Sequence, residues 1–124
     1  MNAYPKPSKS PKHDRMQSKN RAKLLTQLSE ELQDTGVYGC EVCHLEHEQG
    51  KRSVTKKGCE AIIDPAHRHE RQDYYNKPEM LWTRNQVIFA GRAHHNELDK
   101  DKEYREQVFQ ELRGEDLMKE SNEN

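Results

Sequence analysis

Cys40 and Cys43 are separated by two residues, and Cys59 is the one further cysteine. Three thiols cannot all close into disulfides, so the pair reads as half of a metal knuckle in a reducing compartment. Two plainly buried thiols are the other reading of the same pair. A staple matters because the core must be small. The 124 residues have room for one domain, with 31% apolar and 35% charged residues. Chains so poor in apolar area lean on a metal or a disulfide, and tend to have disordered ends.

The net charge of −1 points to no partner, but its distribution is uneven. Lys6, Lys9, Lys12, Arg15, Lys19, Arg21 and Lys23 face a single Asp14 in the first stretch. Glu111, Glu115, Asp116, Glu120 and Glu123 outnumber Arg113 and Lys119 in the last. A basic arm suits a phosphate backbone and an acidic tail stays solvated; equally, both can be soluble ends and nothing more. No apolar run is long enough to span a bilayer. The lysines near the N-terminus have no apolar stretch behind them, so no secretory signal is read there and the expected location is the cytoplasm.

Residues 1–17, with Pro5, Pro7 and Pro11 among lysines and serines, read as a disordered basic arm. Ser18 is placed to cap a helix over 19–34, whose Leu24, Leu28 and Leu32, with Leu25, share one face and whose stop is Gly36. Residues 39–43 read as a turn-rich knuckle and 44–51 as loop. Strands are expected at 52–56 and 59–66, joined through Lys57 and Gly58. Asp64-Pro65 should end regular pairing, since proline lacks a donor. The stretch 68–84 is irregular and anchored by Met80, Leu81 and Trp82, and 87–90 is a short buried segment. One helix should begin near Arg92. A last amphipathic helix should carry Tyr104, Val108, Phe109 and Leu112 inward and stop at Gly114. The single domain therefore spans 18–113, and 114–124 is expected to be a disordered acidic tail.

Seven histidines are many for this length, and His67, His69, His94 and His95 form two close pairs. Histidine is the usual base near neutral pH and the commonest metal ligand. Two pairs flanking a loop are a plausible way to hold one divalent ion.

Three stretches then carry a resemblance. They are Ile62-Ile63-Asp64-Pro65-Ala66-His67-Arg68-His69, Trp82-Thr83-Arg84-Asn85-Gln86-Val87-Ile88 and His94-His95-Asn96-Glu97-Leu98-Asp99. Together they resemble an HNH endonuclease, and are similar to the small versions common in phage and bacterial genomes. The resemblance covers 39–99. It implies an α+β fold with a small ββα-metal core (the His-Me finger), here between an N-terminal and a C-terminal helix. It also implies hydrolysis of DNA phosphodiester bonds, by nicking or double-strand cutting, with Mg2+, Mn2+ or Ni2+. By position His67 would be the general base, Asn85 the residue that orients it, and His95 the ligand of the ion. Such chemistry needs an activated water, a cation on the phosphate and help for the leaving oxygen. A phage-encoded protein of this kind would act in the host cytoplasm.

The sequence departs from the family pattern twice. The residue before the base, often a metal ligand, is Ala66. Asp64 or His69 must then supply the missing donor, with His69 favoured because it shares a strand face with His67. The second knuckle of many small relatives falls on Gly91 and His94. His94 can stand in for a thiolate, but Gly91 cannot, leaving Cys59, His44 or His47 to complete a structural Zn2+ site with Cys40 and Cys43. Arg68, Arg71, Arg84 and Arg92 surround the proposed centre and are candidate DNA phosphate contacts, a solvated charged loop being the bland alternative. The lost ligands also leave room for a catalytically inactive, metal-stabilised DNA-binding or phage-assembly module. The oligomeric state, a homodimer included, stays open.

Overall fold

The computed structural model describes residues 11–37 and 39–120, and burial for those from Arg15 to Met118 apart from Tyr38. The order of elements is α1 (Pro11–Asp34), α2 (Glu41–Glu48), β1 (Ile63–His67), β2 (Val87–Gly91), α3 (Arg92–Lys100), α4 (Lys102–Arg113) and the short α5 (Leu117–Glu120). Three 3-10 turns, Arg71–Tyr74, Pro78–Met80 and Arg84–Gln86, fill the connection between the strands. The fold is α+β, with one two-stranded antiparallel sheet.

β1 and β2 pair in a register that sets Ile63 opposite Gly91, Pro65 opposite Phe89 and His67 opposite Val87. Alternation along a strand gives the sheet two different faces. Ala66, Ile88 and Ala90 pack with Val42, Leu98, Val108 and Phe109, so this face is covered from α2, α3 and α4. Val87 packs with Leu24 and Leu28 of α1, flanked by Trp82 and Phe89. A thin sheet between helices thus makes two small cores. The leucine stripe of α1 and the apolar face of α4 lie where their helical spacing puts them.

The local assignments differ from the expected ones in five places. The first helix begins at Pro11 and not after Ser18, so 11–17 belong to α1 and not to an arm; residues 1–10 lie outside the described part. Proline at a helix start loses no hydrogen bond, and the Gln17 side chain donates to the Pro78 carbonyl at 3.2 Å, which fastens the first turns to the body. Residues 44–48 are helix and not loop. Cys40, in extended conformation, is the N-cap of α2 and its sulfur accepts the Cys43 N–H at 3.4 Å.

No strand forms over 52–56, and the sheet partner of β1 is the segment 87–91 instead. Residues 52–62 are drawn elsewhere. Cys59 is buried, the Ala93 N–H donates to the Gly58 carbonyl at 3.2 Å, and Gly58 takes φ 97° to make the approach. Pro65 does not end pairing but lies inside β1. Each strand of a two-stranded sheet has an outer edge, where a missing N–H is tolerated.

Finally, the start of the expected disordered tail is ordered. Asp116 is buried, and Gly114, Glu115 and Leu117 bond to Arg68 and Asn85 through their backbone. Residues 121–124 lie outside the described part.

Candidate metal centre and the histidines beside it

Four side chains from three places in the sequence converge. Cys40 and Cys43 come from the start of α2, Cys59 from the loop before β1, and His94 from the first turn of α3. Their donor atoms all lie within 4.8 Å of one another, and all four residues are buried. The His94 Nδ1 is 3.4 Å from the Cys40 sulfur, 3.5 Å from that of Cys43 and 3.4 Å from that of Cys59. A tetrahedral zinc, with Zn–S near 2.3 Å and Zn–N near 2.0–2.1 Å, sets sulfur and nitrogen donors about 3.5 Å apart. The donor set and its spacing fit such an ion.

The surroundings favour the same chemistry. Burial pushes the Cys40 thiol up to about 12 and raises that of Cys43. Thiolates in such a place need a cation. Backbone N–H groups already point at sulfur, from Cys43 to Cys40 and from Lys56 to Cys43 at 3.5 Å. The His94 Nε2 meets the Glu46 carboxylate at 3.1 Å. With the proton on Nε2 donated to Glu46, the Nδ1 lone pair faces the three sulfurs. Glu46 also accepts from Arg52 at 2.7 Å and from the Tyr104 hydroxyl at 3.4 Å. Burial opposes its ionisation, but Arg52 and His94 outweigh this and hold it below the usual carboxylate range.

His44 and His47 do not join the group. His44 pairs with Glu48 at 3.3 Å, and the His47 Nδ1 meets the Arg52 carbonyl at 2.9 Å. Gly91 stands where the second knuckle would place a ligand. A Cβ there would lie 2.4 Å from the Cys59 Cβ, so the glycine leaves the space that Cys59 fills. Of the three candidates left open by the sequence, Cys59 is the residue that joins the group.

His67 ends β1. Its ring meets Trp82 edge-on at 4.6 Å and Tyr74 at 5.8 Å between centroids. Its Nε2 lies 2.9 Å from the Leu81 carbonyl, so Nε2–H donates there and Nδ1 keeps a free lone pair. Burial, followed by the Arg71 charge, pushes its pKa down to about 4, with His95 and Arg21 adding to the effect. His95 follows His94 on α3, is partly exposed, and its Nδ1 lies 3.3 Å from Asp99.

The remaining expected residues are placed differently. Asn85 does not bond His67: its Oδ1 accepts from Gln86 and from the Leu117 N–H, and its Nδ2 donates to the Glu115 carbonyl. The Leu81 carbonyl holds the His67 ring instead. His69 meets Asp116 at 2.5 Å, and Asp64 pairs with Arg92 at 3.4 Å. Neither is gathered with His95 into a second group of three donors among the described residues. Ala66 faces the core.

Arg68 is not a surface contact. Its side chain is wholly buried, bonded to Glu106 at 2.9 Å and to the Gly114 and Asn85 carbonyls. Arg84 pairs with Glu31 at 2.8 Å. Arg71 is exposed. The sequence reading missed Glu46, Asp116 and the Leu81 carbonyl. A glutamate three residues after Cys43 could have suggested the first, whereas the other two depend on folding alone.

No family model matches the sequence, and neither a curated protein nor a solved structure is significantly similar to the chain.

Proposed function

We propose that the protein is a zinc-stapled endonuclease of the HNH kind, which hydrolyses phosphodiester bonds in DNA with His67 as general base. The observation that carries this reading is the state of His67. Its tautomer is fixed by the Leu81 carbonyl, it is neutral at physiological pH, and it is set among cationic side chains. A neutral imidazole with one free nitrogen can take a proton from water. The charges of Arg71 and Arg21 suit a phosphate. A bound phosphate would offset those charges and lift the His67 pKa back toward neutrality, where a base is most effective.

The reaction is then attack of water on phosphorus, with the water's proton passing to His67 Nδ1 as the bond to the leaving oxygen breaks and that oxygen takes up a proton from solvent water. The Nε2–H stays donated to the Leu81 carbonyl and keeps the ring oriented. In the staple, Cys40, Cys43, Cys59 and His94 would hold Zn2+, which there supplies folding energy and no chemistry. Because His94 is held in that group, the azimuth of its neighbour His95 on α3 is fixed as well. For a second ion, Mg2+, Mn2+ or Ni2+, the free protein offers His95 beside Asp99, too few donors for a closed site.

Purified protein should nick or cut plasmid DNA when one of these ions is added, and chelation should stop it. His67→Ala should lower the rate about 100-fold or more, as expected for loss of a general base, with the fold intact by circular dichroism. Equal rates in the variant would remove His67 from the chemistry.

A second reading, a catalytically inactive DNA-binding or assembly module, is favoured by one group of contacts. Ala66 faces the core and Asp64 and His69 are engaged elsewhere, so the donors expected for a catalytic ion are dispersed. Calorimetric titration with Mn2+ separates the two readings. An exchangeable second ion per chain supports the nuclease, and one tight metal alone supports the module.

A further inference from the structure

Two sets of cations stand out among the described residues. Lys56, Arg52, Arg68, Arg84, Arg92, Arg105 and Arg113 each pair with a carboxylate of the protein. Their charge is spent within the fold. Arg15, Lys19, Arg21 and Lys23 of α1, all exposed, form no ion pair among the described residues, nor does Arg71. Two of them, Arg21 and Arg71, lie close enough to His67 to act on its charge. The Arg21 guanidinium lies over the Trp82 ring at 5.4 Å, and that ring is itself against His67.

Helical spacing orders the rest. Leu24 and Leu28 turn inward, and Arg21 shares their side of the helix. Arg15, Lys19 and Lys23 recur every four residues and form one row on the outward side. From Arg15 to Ser29 α1 has no acidic residue, and acids return only at Glu30 and Glu31. Beside the row, a cleft of about 380 Å³ runs between α1 and the Pro78–Met80 and Arg84–Gln86 turns, with Lys23, Gln27 and Trp82 on its walls and the carboxylates of Glu31 and Glu79 there too. The row itself is therefore basic throughout and unspent among the described residues, and Arg21 is the side chain of α1 that links the helix to the His67 locus.

We propose that the outward row Arg15, Lys19 and Lys23 of α1 is the docking surface for a nucleic-acid backbone, which Arg21 leads on to the His67 locus. This rests on the nuclease reading for the identity of the polyanion. It moves the expected DNA contacts away from Arg68, Arg84 and Arg92 and on to a helix outside the segment that resembles HNH enzymes. Phosphate contacts of this kind position a duplex without reading its sequence. Lys and Arg that neutralise phosphates release counterions, so affinity should fall steeply with salt.

The test is fluorescence anisotropy of a labelled DNA duplex against the full chain, across a series of salt concentrations. The variant Arg15→Gln/Lys19→Gln/Lys23→Gln changes exposed positions only, and glutamine keeps helix propensity. It should bind at least tenfold more weakly at low salt. Its plot of log affinity against log salt should be shallower by about 2 to 3, as three lost phosphate contacts require. A control, Lys100→Gln/Lys102→Gln, removes exposed charge from α3 and α4 and should change neither quantity. If the α1 variant binds like the parent, or the control weakens binding as much, the surface is misassigned. Plasmid cleavage, measured in parallel, tests the nuclease reading separately. A chain that binds through α1 but never cuts keeps this surface and loses the enzyme. A chain that cuts, but whose α1 variant binds unchanged, keeps the enzyme and loses the surface. A parent chain that does not bind duplex at all overturns both.

Discussion

The Cys59 sulfur lies 2.6 Å from the point where a Cβ on Gly91 would stand. The two residues are complementary: the glycine in β2 makes room for a thiol that arrives from a loop. In the family pattern the strand itself would present the ligand at this position. Here the donor is supplied from across the gap, and only the smallest residue permits it.

Gly91→Ala should therefore damage the metal centre more than its size suggests. The added carbon would also meet the Cys59 Cα at 2.5 Å, and backbone cannot yield as a flexible side chain does. A loss of about 1–3 kcal/mol in urea unfolding is expected from overpacking alone. Substituted with Co2+, the variant should show a weaker thiolate-to-metal absorption than the parent. An unchanged spectrum would mean that Cys59 is not a ligand.

Removing a metal bound by Cys40, Cys43, Cys59 and His94 should loosen the whole chain, because these four donors tie α2, the loop before β1 and α3 together. Chelation should lower the melting temperature, and Zn2+ should restore it. Glu46→Gln keeps the shape but weakens the acceptor for His94 Nε2–H. Its metal affinity should drop roughly 10-fold to 100-fold, as loss of such a partner does elsewhere. Competition with a chromophoric chelator measures it.

Arg68 tests the buried charge network. Its side chain is fully enclosed and faces Glu106, with Asp116 at 3.9 Å. Arg68→Ala would strand buried acceptors and should destabilise by about 3–5 kcal/mol. Arg68→Lys keeps the charge but not the forked geometry, and should recover only part of the loss. If DNA affinity fell in Arg68→Lys with stability unchanged, the side chain would be a surface contact after all.

Stability should also rise with pH between about 4 and 6.5. His67 is pushed down to about 4 in the folded chain by burial and by Arg71, whereas an unfolded histidine titrates near 6.5. In that window the unfolded state binds the extra proton, so lowering the pH favours unfolding. The full effect is on the order of 3 kcal/mol. Urea midpoints for His67→Gln should depend less on pH over the same range. A parallel pair of curves would show that another group is responsible. Burial opposes ionisation of Asp116, but hydrogen bonds from Gln86 and His69 outweigh it and hold the carboxyl below its ordinary value, so its contribution is lost at lower pH, as pH falls from the ordinary carboxylate value through the depressed one.

Much of the helical framework was legible because it rests on local periodicity. The leucines of α1 and the inward row of α4 fall where a 3.6-residue repeat places them. The strand pairing was not. Val87 to Ala90 looked like a buried segment, but nothing nearby in sequence announces that its partner is Ile63 to His67 across a long irregular connection. Half of the metal site was visible in the Cys40 and Cys43 spacing. His94 was reached through the resemblance, and Cys59 stayed one of three options because only the fold brings it over Gly91. The arginines misled most. Sequence gives their number near a site but not which carboxylates they meet, and Arg68 was claimed by Glu106, 38 positions away.

The C-terminal segment has one more consequence. Carbonyls of Gly114 and Glu115 and the amide of Leu117 meet Arg68 and Asn85, while the Asp116 carboxylate closes on His69. A protease cut just after α4 would spare every apolar anchor of the two cores. It would nonetheless strip acceptors from an enclosed guanidinium and the carboxylate partner from a histidine just beyond the first strand. A cut in this segment should therefore be felt in the middle of the molecule.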